Sequence, residues 1–115
     1  MKEQTVKTGT ELENTGFGFT LSLIKGKHKM LILYLLFEHQ TIRHNELKRQ
    51  IGTISYKSLS CMLKELEKDQ LVNRVEFPQI PPKVEYSLTE RGRSLMPVIN
   101  SMCEWGENEK RLAEN

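Results

Sequence analysis

The sequence predicts a mainly α-helical domain with one small antiparallel β-hairpin, on three observations. Apolar residues recur at helical spacing in five separate stretches between Phe17 and Trp105. Two of those stretches, ending in "NELKRQI" and beginning in "SYKSLSCML", are joined only by "GTI", and a short glycine-containing turn between amphipathic helices makes a helix-turn-helix unit. Between Arg74 and Gly92 the pattern changes to period two around a tip that holds Pro78, Pro81 and Pro82, which is the signature of paired strands.

A chain of 115 residues with 37% hydrophobic and 28% charged residues suits a single domain with one modest core. Its longest apolar run, "MLILYLLF" from Met30 to Phe37, is far short of the ~20 residues that cross a bilayer. The opening "MKEQTVKTGTELENTG" lacks the apolar segment of a secretion signal. Cys61 and Cys103 are far apart and have no metal-ligand spacing. These features lead to the expectation of a cytoplasmic protein with no membrane association. The net charge of +2 hides a distribution, because residues 25–83 hold eleven Lys and Arg against six Asp and Glu. A local basic excess of this kind suits a polyanionic partner, although a normally solvated mixed surface can carry it too.

The elements follow in order. Residues 1–14 are polar and without hydrophobic period, and are expected to form a flexible tail, leaving 15–115 as the folded domain. Phe17, Leu21 and Ile24 lie at helical spacing before Gly26 interrupts. A second helix is expected from Lys27 to about Glu38, buried at the centre of the fold because its apolar run is continuous. "QTIRH" (Gln40 to His44) is a short strand or extended connector. Leu47 and Ile51 define a short helix ended by Gly52, a residue suited to the left-handed C-terminal position. Ser55 can then cap the next helix with its hydroxyl, and Leu59, Met62, Leu63 and Leu66 form one apolar stripe at i, i+3, i+4 and i+7.

The other side of that helix carries Tyr56, Lys57, Ser60, Cys61 and Lys64, with no acidic residue before Glu65. Glu65, Glu67 and Asp69 crowd its C-terminal end, where the helix dipole disfavours them. That order points to an N-terminal half kept positive for a partner; incidental charges on a solvated face are the competing account. Val75 and Phe77, then Val84, Tyr86 and Leu88, are expected to face the helices from a hairpin. Thr89 can cap a last helix in which Leu95, Val98, Ile99, Met102 and Trp105 form an apolar stripe, with Pro97 tolerated as a kink near its start. This order of elements is that of a winged helix-turn-helix domain. The proline tip then has a use: fixed φ angles keep the wing extended and reduce the entropy lost on docking.

"GKHKMLILYLL" and the segment from "RHNELKRQIGTISYKSLSCMLKELEKDQLV" through "NRVEFPQIPPKVEYSLTERGRSLMPVINSMCEWG" closely resemble the HxlR family of bacterial winged-helix transcription regulators, over about residues 15–107. The resemblance implies a homodimeric DNA-binding regulator whose first and last helices supply most of the dimer contact, with Phe17 and Leu21 on the first. Leu95, Ile99, Met102 and Trp105 on the last would otherwise leave a larger apolar patch than monomers usually tolerate. Two positions depart from the family pattern. Members that sense aldehydes, quinones or hypochlorite look to use a cysteine just ahead of the first helix, where this chain has Thr15. The second helix often opens with tryptophan where His28 stands. Thiol sensing at the usual position is therefore not expected. Cys61 is expected to be a small helix residue with no role of its own, the alternative being a thiol on the DNA side whose modification would interfere with binding, and Cys103 a small core or dimer residue.

The resulting expectation is a sequence-specific, double-stranded-DNA-binding transcriptional repressor, acting as a homodimer on an inverted-repeat operator. Ser55, Tyr56, Lys57, Ser60 and Lys64 would enter the major groove or meet flanking backbone. Lys27, Lys29, Arg43, Arg74 and Lys83 would contact phosphates. The alternative is a winged-helix protein-protein adaptor without DNA binding, which leaves the basic half of the recognition helix unexplained. An enzyme is not expected. His28, His39 and His44 have no metal-ligand spacing with either cysteine, and no phosphate-cradling or nucleophile motif appears. No cofactor or metal is implied, and no small-molecule effector is specified.

Overall fold

The computed structural model describes residues 9–114. Its elements are α1 (Gly9–Glu13), α2 (Gly16–Ile24), α3 (Lys27–His39), β1 (Thr41–Arg43), α4 (His44–Ile51), α5 (Tyr56–Lys68), β2 (Val72–Phe77), β3 (Lys83–Leu88), α6 (Glu90–Ser94) and α7 (Met96–Glu114). The mainly helical fold with a small antiparallel sheet is as expected. Of the stretch expected as a tail, residues 1–8 lie outside the described residues, and Gly9–Glu13 form the short helix α1. The expected short strand at Gln40–His44 is β1, which joins the hairpin to give a three-stranded sheet in the order β1-β3-β2.

The core is built where α3, α4 and α5 meet the sheet. Ile32, Leu33 and Leu36 of α3, Leu47 of α4, Leu59, Leu63 and Leu66 of α5, and Leu71 and Val72 at the start of β2 are almost fully removed from water. Burying a leucine of this kind stabilises the fold by roughly 1.5–3 kcal/mol. The expectation for α3 holds on one face only: Leu31, Tyr34 and Phe37 are exposed. A continuous apolar run does not require a partner on every side.

The turn between α4 and α5 is set by Gly52, at φ 78°, whose N–H donates to the Lys48 carbonyl. Ile54 is buried beneath the turn. Ser55 is the N-cap of α5 as expected, its Oγ accepting from the Ser58 N–H at 3.0 Å. That bond satisfies one of the donors a helix start leaves without an internal partner.

In the hairpin, the strand phase differs from expectation. Val72 pairs with Leu88, Arg74 with Tyr86 and Glu76 with Val84, and directly opposed residues share a sheet face. The core face of β2 therefore carries Val72 and Arg74, while Val75 and Phe77 lie opposite Glu85 and Lys83 on the outer face. Val75 is exposed. β2 is an edge strand of the sheet, so beyond Val72 its inward side opens onto solvent and Arg74 is exposed, while Tyr86 opposite it stays in the core.

The last helix is in fact two. Thr89 caps α6, accepting from the Gly92 N–H at 2.9 Å and donating to the Gln70 carbonyl at 2.7 Å. Leu95 ends α6, and α7 restarts at Met96 with Pro97 in its first turn, where a missing N–H costs no helical hydrogen bond. Gly92 is required rather than merely tolerated, because a Cβ there would lie 2.2 Å from the Leu71 carbonyl oxygen.

Candidate nucleic-acid interface

The packing of α5 decides which of its sides faces outward. The stripe Leu59, Leu63 and Leu66 pins α5 to α3 and the sheet. The opposite side is therefore turned outward, with Tyr56, Lys57, Cys61 and Lys64 exposed and Ser60 half-buried. Among the described residues, only α4 touches that surface, His44 lying against Tyr56 and Ser60 and Lys48 against the Tyr56 ring, and Lys57, Cys61 and Lys64 stay open to solvent. Ser55 sits exposed at the positive end of the helix, the end that favours an anion.

Beside α5, a cleft of about 840 Å³ opens between α4, α5 and the strands of the wing. Arg43, Ser60, Lys64, Arg74 and Lys83, five of the ten expected DNA contacts, line it. Arg43 ends β1 and precedes the first turn of α4; Arg74 and Lys83 project from the hairpin. Arg74 is oriented by Tyr86, its cross-strand neighbour. Hydrogen bonding to that phenol, with the nearby Glu76 carboxylate at 3.5 Å, holds the guanidinium above its ordinary value. Lys83 is fixed by an ion pair to Glu85 at 3.0 Å and by the Phe77 ring, whose centroid lies 4.6 Å from Nζ. Arg43 and Lys64 make no ion pair among the described residues, so their charge faces solvent undiminished. At the far end, the proline tip leaves Ile80 100% exposed.

Lys27 is exposed at the start of α3. Lys57 stands outside the cleft, on a smaller hollow of about 320 Å³ that Lys25, Lys29 and Cys61 share. Lys29 does not fit the expected phosphate contact. It is 7% exposed and its Nζ lies 2.6 Å from Glu65 Oε1 on α5. The ion pair holds the Glu65 carboxyl below its ordinary value of 4.5, chiefly through the hydrogen bond from Lys29. The lysine joins two helices and is removed from the contact set. Glu65, taken from the sequence as badly placed for its helix dipole, has this partner.

His44, Asn45 and Arg49 also line the cleft and were missed. Nothing in the local pattern marks them, because their place depends on the strands and on α5 packed around the start of α4. Arg49 is neutralised there by Glu46, which also accepts from Gln50 at 3.0 Å. These bonds, Arg49 first, hold the Glu46 carboxyl below its ordinary value.

The expected dimer residues divide. Phe17, Leu21, Met102 and Trp105 are exposed. Leu95 is half-buried against the core, and Ile99 is inside it, because α7 packs its first turns on α3 before running out from the body. Ile99 is thus a core residue of its own chain. Cys103 is exposed, not in the core, and Cys61 is exposed as expected. Thr15 caps α2, its Oγ1 accepting from the Gly18 N–H at 3.0 Å. Among the described residues, no helix is long and apolar enough to cross a membrane.

Comparison with known proteins agrees with this geometry. An HTH-type transcriptional regulator of Halalkalibacterium halodurans is 63% identical over 95 residues, covering 83% of this chain and 84% of that one. The HTH-type transcriptional regulator YdzF of Bacillus subtilis is 56% identical over 90 residues, covering 78% and 83%. Among solved structures, the reduced form of the redox regulator HypR superposes with a TM-score of 0.80 at 42% identity, covering 87% of this chain and 98% of that one. The HxlR-like helix-turn-helix family matches residues 23–114. The chain belongs to that family, one of helix-turn-helix transcriptional regulators.

Proposed function

We propose that the protein is a sequence-specific regulator that binds duplex DNA as a homodimer on an inverted repeat and represses by occupying a promoter. The observation that carries this reading is the cleft that sets Arg43, Lys64, Arg74 and Lys83 beside the outward face of α5. A major groove admits one α-helix, and cations flanking it meet the two phosphate ridges. Ser55 and the α5 N-terminus hold a phosphate; Tyr56, Lys57, Ser60 and Lys64 reach base edges or the adjoining backbone. Lys27 and the wing lie on flanking phosphates.

The dimer is supported by the exposed apolar surface of α2 and α7, where Phe17 and Trp105 are 77% and 70% exposed. So much aromatic surface is costly to leave in water. A two-fold pairing places the α5 helices in half-sites about 34 Å apart, one turn of the duplex. Selection of bound sequences from random duplexes, followed by footprinting, tests the reading. It predicts a palindromic consensus with two protected major-groove segments separated by one turn. An absence of enrichment, or a single unpaired footprint, contradicts it.

A further inference from the structure

His44 opens α4 inside the cleft, and three contacts fix its ring. It stacks on Tyr56 of α5, with centroids 6.2 Å apart and planes within 9°. It meets the ring of Tyr86 on β3 at 6.1 Å and 46°. Its Nε2 lies 3.3 Å from Ser60 Oγ. The imidazole is thus half-buried, held between the recognition helix and the wing, with one ring nitrogen committed to a hydroxyl. Lys48, one turn further along α4, sits 5.1 Å from the Tyr56 centroid, so the tyrosine ring is held by both neighbours.

We propose that His44 is a DNA-contacting residue of the interface: its neutral imidazole takes a proton from solvent as the duplex docks, and the resulting imidazolium pairs with a backbone phosphate in the cleft. The inference rests on the DNA-binding reading above and adds a residue and a charge to it. Imidazole is the side chain whose ordinary charge change falls between pH 5 and 8, and a phosphate within reach favours the charged form. The neighbouring charges come from every wall. Arg43 of β1, Arg49 of α4, Lys64 of α5, and Arg74 and Lys83 of the hairpin are positive, while Glu46 of α4 and Glu67 of α5 are negative. Glu46 is already engaged by Arg49 and Gln50. With a phosphate present, the arriving negative charge decides the protonation. When His44 is charged, the Tyr56 face it stacks on gains a cation–π contact, so protonation keeps the recognition helix's first aromatic ring in place.

The consequence is measurable. Binding that takes up a proton strengthens as pH falls, by up to about tenfold for each unit by which the complex raises the histidine's value. The probe is a duplex selected by the protein itself, at constant ionic strength, between pH 6 and 8. Wild type is expected to bind at least about threefold tighter at pH 6 than at pH 8. His44→Phe, which retains a stacking ring, and His44→Gln are expected to bind with no such dependence. His39→Gln, on the exposed end of α3, is expected to keep it. If the variants misfold, imidazole resonances of wild type followed through a pH titration give the same answer, one histidine titrating higher in the complex than free. Wild-type binding independent of pH, or a dependence that survives in His44→Phe, overturns the inference while leaving DNA binding intact. Absence of duplex binding at every pH overturns both.

Discussion

Lys29 Nζ on α3 and Glu65 Oε1 on α5 lie 2.6 Å apart, so the central helix of the fold is tied directly to the second helix of the helix-turn-helix unit. The ammonium is nearly buried while the carboxylate is mostly in solvent. Their removal is therefore unequal. Glu65→Ala strands a buried cation and is expected to lower the melting temperature clearly. Lys29→Met replaces the lysine with an apolar chain of similar length and is expected to stay within about 1 kcal/mol of wild type. Adding Lys29→Met to Glu65→Ala should restore most of the loss, as measured by thermal unfolding.

The same pair sets a pH dependence. Folding holds the Glu65 carboxyl below 4.5, so near that pH the unfolded chain binds more protons there than the folded one. Its contribution is complete above 4.5 and is lost as pH falls through the lower folded value. Stability curves of wild type and Glu65→Gln should therefore differ most at neutral pH and converge in acid. Curves that stay parallel down to acid pH would show that the pair contributes nothing.

Gly92 and the Leu71 carbonyl give a test of the packing between α6 and the start of the hairpin. A Cβ at 2.2 Å from backbone oxygen forces one segment to move, and Gly92→Ala is expected to cost about 1–3 kcal/mol. Ser55→Ala, which removes the cap on α5, is expected to cost about 0.5–2 kcal/mol. Ser55→Asn should recover most of it in chemical denaturation.

The exposed ends of α2 and α7 predict the assembly. Sedimentation is expected to show a dimer at micromolar concentration for wild type. Trp105→Glu with Met102→Glu places two carboxylates per subunit on that face and should give a folded monomer. Ile99→Glu should instead unfold the chain, because Ile99 is a core residue.

What the sequence revealed depended on how local the cause was. The Gly52 turn, the Ser55 and Thr89 caps and the α5 stripe are decided within a few residues, and each appears where the pattern put it. The strand phase in β2 was misjudged because Val75 and Phe77 alternate as convincingly as Val72 and Arg74 do; only the helices beneath decide which set faces in. Lys29 was indistinguishable from Lys27 in sequence, since its burial comes from a carboxylate 36 residues later. His44 carried no motif at all, and its place emerges only when β1, α5 and the hairpin are brought together. Long-range contacts made these differences.

Everything turns on whether the outward face of α5 and the neighbouring cleft neutralise phosphates. The most direct measurement is the slope of log affinity against log salt for a selected duplex, in wild type, Lys57→Ala and Lys64→Ala. Phosphate neutralisation releases counterions, so the account predicts a steep negative slope for wild type. Each variant should bind more weakly, with the slope reduced by about one per subunit. A shallow wild-type slope, or variants whose affinity and slope match wild type, would contradict the assignment of this surface to DNA.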